Sequence, residues 1–508
     1  MPDVRLASAP GRWILLATVL GSGVALLDST VVNVALPAVA RDLGASMAGL
    51  QWTVNAYTLT LAGFILLGGS LGDRYGRRRV FVIGVVWFAA ASALCGAAPN
   101  IPTLIAARAL QGVGGALLTP GSLALIQASF AEEDRPRAVG AWSGLGGIAG
   151  ALGPFLGGWL VQSAGWRWVF LLNVPLAAVV ALVAVRHVPE SRDPGAQGRF
   201  DVLGAALAAL ALAGVTYALT EAPQRTAVPG AVWTAGVAGM LAGIAFVLVE
   251  RARSGGRGPQ PMLPPRIFGS RQFSAVNAVT FVVYGGMGVM FFLLVVDLQV
   301  VAGFSPVAAG AALLPVTVLM LLLSARAGAL AQRIGPRWPM TAGLVVASAG
   351  MLLVGRIDAG TSYLTGVLPP VIVFGLGLSA VVAPLTATVL AAVDPAHAGV
   401  ASGVNNAVAR AGGLLAVAAI PSLAGLTGDA YDDPAAFSAG FQASLLVCAG
   451  LLALGAVLTF LTVRDDALRA APRAAEPVCR SHCGIGAPPL EPDRPRPSPD
   501  PPGAASVT

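Results

Sequence analysis

Leu27-Asp28-Ser29-Thr30-Val31-Val32-Asn33-Val34-Ala35-Leu36-Pro37 closes an apolar run that opens near Trp13. The run is long enough to cross a bilayer, which takes ~20 mostly apolar residues as a helix. It holds a carboxylate in its interior. An ionisable side chain there costs on the order of 3 kcal/mol on insertion scales, so it faces a bundle interior or a water-filled cavity. Asp28 is therefore the first candidate for chemistry. Arg5 and Arg12 in front and Ala38-Val39-Ala40 behind mimic the flanks of a cleaved signal peptide. The apolar core is too long for one and contains Asp28 and Asn33, so the run reads as an uncleaved first span.

Outward from that stretch the same texture continues. The 508 residues are 56% hydrophobic and 11% charged, with mean hydropathy +0.77. Soluble domains carry about 25% charged residues, so this is an all-α polytopic membrane protein. Apolar runs fall at 13–38, 49–71, 80–98, 101–128, 138–162, 168–188, 202–221, 228–250, 273–299, 306–330, 340–357, 362–392, 398–424 and 437–463. Each is able to cross as a helix, which gives fourteen spans. The Pro- and Arg-rich tail, 464–508, reads as disordered and cytoplasmic.

All 31 basic residues are arginine. With no lysine there is no Gly-x-x-x-x-Gly-Lys phosphate loop. The net charge of +7 expresses topology rather than nucleic-acid binding. With the N-terminus (1–12) in the cytoplasm, Arg41, Arg167, Arg225 and Arg356 fall outside, and Arg108, Arg326 and Arg410 fall within spans. The remaining arginines are cytoplasmic, including Arg74, Arg77, Arg78, Arg79, Arg135 and Arg137, which places both termini inside. The expected home is the cell membrane. Four cysteines are too few and too scattered for a disulfide framework, and Cys479-Arg-Ser-His-Cys483 reads as solvated tail rather than a metal site. No catalytic cluster is present, so the chain reads as no enzyme, with neither cofactor nor metal.

The chain repeats itself. Asp134-Arg135-Pro136-Arg137-Ala138-Val139 lies over Asp394-Pro395-Ala396-His397-Ala398-Gly399, and Asp73-Arg74-Tyr75-Gly76-Arg77-Arg78 lies over Gln332-Arg333-Ile334-Gly335-Pro336-Arg337. The two registers nearly coincide. The simplest division is a six-helix half at 13–188, two inserted helices with flanking loops at 189–272, and a second six-helix half at 273–463. Parallel repeats with a substrate site between them are a transporter design.

Several motifs sharpen this. Gly69-Ser70-Leu71-Gly72-Asp73-Arg74-Tyr75-Gly76-Arg77-Arg78-Arg79 resembles the signature loop of the major facilitator superfamily. Leu104-x-x-x-Arg108-x-x-Gln111-Gly112-x-Gly114 resembles its span-four motif, and Gly146-x-x-x-Gly150-x-x-Gly153-Pro154-x-x-Gly157-Gly158 its antiporter motif. The stretch around Asp28, Gln51-Trp52-x-x-Asn55-x-Tyr57, Trp166-Arg167-Trp168-x-Phe170-x-x-Asn173-x-Pro175 and Ala401-Ser402-Gly403-x-Asn405-Asn406 are similar to the fourteen-span drug:proton antiporters of the QacA/EmrB type.

The resemblance covers about 13–463. It implies a major facilitator fold and proton-coupled efflux of amphipathic drugs or antibiotics by alternating access. A proton-coupled transporter of a specific metabolite on the same fold is the alternative. Partners would be a small-molecule substrate, protons and the bilayer, without nucleic acid, in a chain functional as a monomer. A cytoplasmic latch is expected at Gly69, Asp73, Arg74, Gly76, Arg77 and Arg78. In the second half Gln332 replaces the acid, which weakens that copy. The span-five glycines can pack helices closely, and a hinge is expected at Gly150, Gly153, Pro154 and Gly157, where proline removes a backbone bond. Gly144-x-Gly146-x-x-Ala149 mimics a dinucleotide fingerprint, but it lies inside a span with no strand before it.

Arg108 lies about 10 Å from the outer end of its span and Asp28 about 15 Å from that of its own, at ~1.5 Å per residue. The two depths agree within a turn, so Asp28 and Arg108 are expected to communicate, directly or through water, as the proton-coupling pair; a permanent structural ion pair is the competing reading. The cavity implied by the resemblance takes in Asn33, Gln51, Asn55, Tyr57, Gln111, Asn405 and Arg410. Arg326 is read as snorkelling. Asp297, near an outer span end, either recruits cationic substrate or hydrates that end. Trp13, Trp52, Trp166, Trp168 and Trp233 sit at span ends, as an interfacial belt does.

Overall fold

Apolar runs of this length leave their backbone no water to bond to, so each folds as a helix that satisfies itself. The structure, a computed structural model, describes residues 4–192, 201–224, 228–254, 263, 265–393, 398–428, 433–466 and 468. The tail beyond Leu468, with Cys479 and Cys483, lies outside the described residues. The first helices are α1 (Ala9–Leu43), α2 (Met47–Tyr75), α3 (Arg77–Gly96), α4 (Ile101–Ser129), α5 (Arg135–Ser163), α6 (Arg167–Leu171) and α7 (Asn173–His187). Two more follow, α8 (Val202–Glu221) and α9 (Gly230–Arg253). The last are α10 (Arg271–Val300), α11 (Pro306–Ala311), α12 (Leu314–Ile334), α13 (Arg337–Val354), α14 (Leu368–Ala391), α15 (Ala398–Leu423) and α16 (Pro434–Thr462). Thirteen spans pass on length and hydropathy, and the bent α2 makes fourteen.

Boundaries differ from expectation for local reasons. α1 runs from Ala9 to Leu43 rather than 13–38, because Ser8 caps it by accepting from Gly11 N and Gly44, at φ 62°, terminates it. Pro37 sits inside that helix without ending it. The expected span at 168–188 is two helices broken at Leu172, and the one at 306–330 is α11 and α12. α2 bends by 49° between Ile65 and Leu67, just before Gly68, whose missing Cβ lets it lie against the Ala116 backbone of α4.

Packing repeats along the chain. In the first block α2 and α3 lie on α4, α1 lies on α4, α5 and α7, and α3 lies on α7. In the second, α12 and α13 lie on α14, α10 lies on α14, α15 and α16, and α13 lies on α16. The inserted helices pair through small residues: a Cβ on Gly214 would strike Gly239, and one on Gly236 would strike Ala218. α8 then rests on both α2 and α15, whereas α9 leaves Val237, Met240, Leu241 and Ile244 exposed to the bilayer.

The blocks meet where α5 touches α11 and α12, α2 touches α15, and α1 touches α10. Gln51 Nε2 donates to Val417 O at 2.9 Å and Gln299 Nε2 to Val34 O at 3.1 Å. Gly158 abuts Pro306, and Gly310 abuts the Pro154 carbonyl. These residues lie within about three turns of the ends at Leu43, Ser163, Val300 and Leu423 and of the starts at Met47 and Pro306. They therefore form a seam at one end of the bundle.

Candidate transport site

Asp28 and Arg108 face each other from α1 and α4, with side-chain exposures of 0% and 1%. Arg108 Nη1 donates to Asp28 Oδ2 at 2.5 Å and to Gln111 Oε1 at 2.6 Å, and its Nε donates to Thr53 O at 3.1 Å. The guanidinium stands over the Tyr57 ring, 4.4 Å from its centroid, and 5.7 Å from that of Phe170. Asp28 Oδ1 accepts from Gln111 Nε2 and Asn173 Nδ2, both at 2.9 Å. The same two amides donate to Ser92 Oγ at 2.6 and 3.0 Å. Cys95 Sγ donates to Gln111 Oε1 at 3.6 Å. Side chains of α4 and α7 thus bond one carboxylate of α1, with α2, α3 and α6 closing around them.

A buried ion pair offsets its desolvation only when its remaining lone pairs and protons are also satisfied. This cluster meets that condition, because three neutral groups and two ring faces surround the two charges.

Around the cluster lie amides with unused capacity. Asn33 Oδ1, Gln51 Oε1, Asn55 Nδ2 and Asn173 Oδ1 are buried without a hydrogen-bond partner among the described residues. Gln51 also serves the seam between blocks. Tyr57 is buried, its hydroxyl 3.5 Å from Ala25 O. Within the second block Asn405 Nδ2 of α15 donates to Thr280 Oγ1 at 2.8 Å and to Asn277 Oδ1 at 3.2 Å, both on α10. Arg410 is half-buried and within electrostatic reach of Tyr57 and Tyr284, so it faces the first block.

The expected latch forms contacts within its own block. Arg77 Nε donates to Asp73 Oδ1 at 2.8 Å. Gly76 takes φ 118° and a Cβ there would strike the Glu190 carboxylate. Glu190 accepts from Arg78 N at 3.1 Å and Arg79 N at 3.2 Å, capping α3 where a helix N-terminus favours negative charge. Gly69 lies against Pro120 in α4. Of the expected hinge residues, Gly153 and Gly157 pack on Thr30 and Val31 of α1, Pro154 meets Gly310, and Gly150 has nothing within 4 Å of its Cβ position.

Three contributors were not singled out from the sequence. Asn173 lies in a quoted motif, but nothing in its spacing aims it at Asp28. Ser92 is one serine in an apolar run. Glu190 follows a span end and gives no local signal. Asp297, expected to recruit substrate or to hydrate a helix end, is instead fully buried. Trp166 is also buried, its indole N–H on Asp42 at 2.9 Å, and the Trp52 indole donates to Glu221. Trp13, Trp168 and Trp233 stay exposed, as a belt requires.

A repeated helical bundle with a buried charged pair between membrane-crossing helices defines a membrane transporter. The Major Facilitator Superfamily family model matches residues 18–202 and 185–417. The chain belongs to the major facilitator superfamily. It is 38% identical over 475 residues to "Puromycin resistance protein pur8" of Streptomyces alboniger, covering 89% of this chain and 92% of that protein. It is 37% identical over 418 residues to "Multidrug resistance protein Stp" of Mycobacterium tuberculosis, covering 80% of this chain and 75% of that one. Among solved structures, the POT family transporter PepTSo matches with TM-score 0.65 at 15% identity, over 89% of this chain and 97% of that chain.

Proposed function

We propose that this chain exports amphipathic small molecules, drugs or antibiotics, across the cell membrane in exchange for entering protons. The observation that carries the reading is the Asp28–Arg108 pair, held at 2.5 Å with almost no exposure. The relatives named for puromycin and multidrug resistance support a drug as cargo. The arginine bias supports both termini in the cytoplasm. In that orientation the seam lies on the outer side, so the arrangement is closed outward, and the two blocks rock about the central site.

Protonation of Asp28 removes the charge that Arg108 answers. Arg108 keeps Gln111 Oε1, Thr53 O and the Tyr57 ring, while the Asn173 and Gln111 amides lose an ionic acceptor. The cluster then loosens, and the open amides of Asn33, Gln51 and Asn55 become free to rearrange against cargo. A proton and a cargo molecule thereby bias the same element in opposite directions, as exchange requires. In the other state of the cycle the Asp73–Arg77–Arg78 turn latches the cytoplasmic side.

Drug-induced pH change in everted vesicles tests this. Asp28→Asn should abolish drug-driven proton movement while leaving folded protein in the membrane. Unchanged coupling would remove Asp28 from the mechanism. A panel in which one metabolite, and no drug, drives proton movement would favour the specific-metabolite alternative.

A further inference from the structure

The central region holds three charges, and one of them is unanswered. Asp28 and Arg108 pair within the first block. Arg410, on α15 of the second, is half-buried and makes neither a hydrogen bond nor an ion pair with any described residue. It lies at mid-span, twelve residues from Ala398 and thirteen from Leu423. A guanidinium left alone at that depth is costly, so it marks a cavity and a function.

Two neighbouring helices locate it. Gln51 of α2 binds the Val417 carbonyl of α15, which fixes the level of one helix against the other. Arg410 comes two turns before Val417 on the same face of α15, ~10 Å further from the seam. Tyr57 comes six residues after Gln51, ~9 Å further from the seam, at the same level. On the α10 side, Gly412 abuts the Phe281 carbonyl and Gly413 that of Tyr284. The guanidinium is accordingly within electrostatic reach of both phenols, Tyr57 and Tyr284. Along this face Val417 is 3% exposed, whereas Asn406, one turn before Arg410, is exposed. Arg410 therefore stands where α2 and α15 part. On the facing side of α2, one turn beyond Gln51, Asn55 is 1% exposed and its Nδ2 donor has no partner among the described residues.

No acid on an adjoining helix reaches Arg410. α14, α16 and the turn Ala222–Gln224 carry no charged residue. On α10, Arg271 and Asp297 each lie thirteen residues from Tyr284, ~20 Å along the helix. The charges of α2, Asp73 and Arg74, are at its far end. On α8, Glu221 accepts from the Trp52 indole at the seam end, and the capping Asp201 is paired with Arg253. What the position offers is a planar set of N–H donors, an open amide and two phenol rings. A guanidinium binds an oxyanion through two parallel N–H bonds, and it stacks on apolar rings. We infer that Arg410 is the docking point for an anionic group of the cargo: the transported molecule is an amphipathic acid, its carboxylate or equivalent oxyanion answered by Arg410 and its apolar body laid against Tyr57 and Tyr284. A cationic cargo meets a like charge there. Asp28 is already answered by Arg108, so it and the cargo acid do not compete for one base. The inference rests on the proposed function for the presence of a cargo, and it narrows that cargo to one sign of charge.

The test compares three ligands of one shape, pyrenebutyrate, pyrenebutyramide and pyrenebutylamine. Each is bound at neutral pH to the full chain in nanodiscs of zwitterionic lipid, without a gradient. Energy transfer from the tryptophans to pyrene reads the binding, with empty nanodiscs subtracted. The acid should bind saturably and about tenfold more tightly than the amide, with the amine weakest. Arg410→Gln should level acid and amide, and Arg410→Lys should keep the acid ahead. The inference is overturned by equal affinities, by preference for the amine, by no saturable binding of the acid, or by a preference that survives in Arg410→Gln. It is also overturned if sulfate at the same concentration displaces the acid, which would make this an inorganic-anion site. Loss of acid binding in nanodiscs of anionic lipid would give the oxyanion to a headgroup and overturn it too. Should Arg410→Gln fail to fold, the order of the three ligands in the wild type and in Arg410→Lys decides by the same criteria. In everted vesicles, Arg410-dependent acid binding that drives no proton movement keeps this site and refutes the exchange. Proton movement driven by the amine and not the acid keeps the exchange and refutes the site.

Discussion

The two blocks pair their helices in the same pattern but fill their interiors differently. In the first, α1, α3, α4 and α7 bury an acid and a base inside a polar network. In the second, the matching helices α10, α13, α14 and α16 place Ser348 on the Ala449 carbonyl at 2.8 Å, and α14 and α16 carry no charged residue. The second block's buried acid, Asp297, lies instead three residues from the end of α10. The fold therefore does not need the charges. Caps, small residues and apolar faces build both blocks.

The same comparison runs through the turns after α2 and α12. Gly76 and Gly335 both take positive φ, 118° and 95°, and the next helix starts one residue after Gly76 and two after Gly335. Each is covered by an acid from the segment following its block's last helix, Glu190 in one case and Asp465 in the other. The turn is thus a repeated structural device, and only the first copy carries the Asp73–Arg77 pair.

The sharpest way to break the contrast is Arg108→Ala. It strands a buried carboxylate, which costs about 3–5 kcal/mol when one partner of such a pair is removed. Thermal unfolding in detergent should drop accordingly, and transport should vanish. Adding Asp28→Asn should recover most of the stability and none of the transport, because it makes the first block as neutral as the second. A double variant as unstable as Arg108→Ala would mean that the arginine acts through packing on Tyr57 and Phe170 instead.

Gly76→Ala and Gly335→Ala come next. Each forces a Cβ into left-handed backbone and against an acid, at about 1–3 kcal/mol. Both should lower the unfolding temperature by similar amounts. If the latch belongs to the first block alone, Gly76→Ala also slows turnover and Gly335→Ala does not. Equal losses of turnover would make the two turns equivalent and deny the first its special role.

The fold was largely legible because its determinants are local. Length and hydropathy set the spans, and the repeated turn set the register of the blocks. What escaped was cooperative. Pro37 looked like the end of α1, but Ser8 and Gly44 set the ends, and one missing backbone bond is tolerated inside a buried bundle. The approach of Asp28 to Arg108 was readable from depth, since both are costly to bury and lie at similar levels. Asn173 and Ser92 were not, because a neutral polar residue in an apolar run carries no signal of the face it presents. Asp297 showed the opposite problem: its distance from the helix end suggested water, whereas the packing of the second block buries it completely.

The smallest effect on folding belongs to Asp73. Its carboxylate is 37% exposed, and its Arg77 partner is 19% exposed. An i,i+4 pair of this kind contributes about 0.3–0.5 kcal/mol. Asp73→Ala should therefore leave the unfolding temperature almost unchanged. If the turn latches the cytoplasmic side in the outward-open state, the same variant lowers kcat several-fold with little change in KM, because the lost interaction belongs to a conformational step and not to cargo binding. The mirror change, Gln332→Asp, places an acid on an exposed position of the second turn and should alter neither. A rise in KM at constant kcat for Asp73→Ala would move the residue from the latch to the substrate path, and the asymmetry between the two turns would then need another cause.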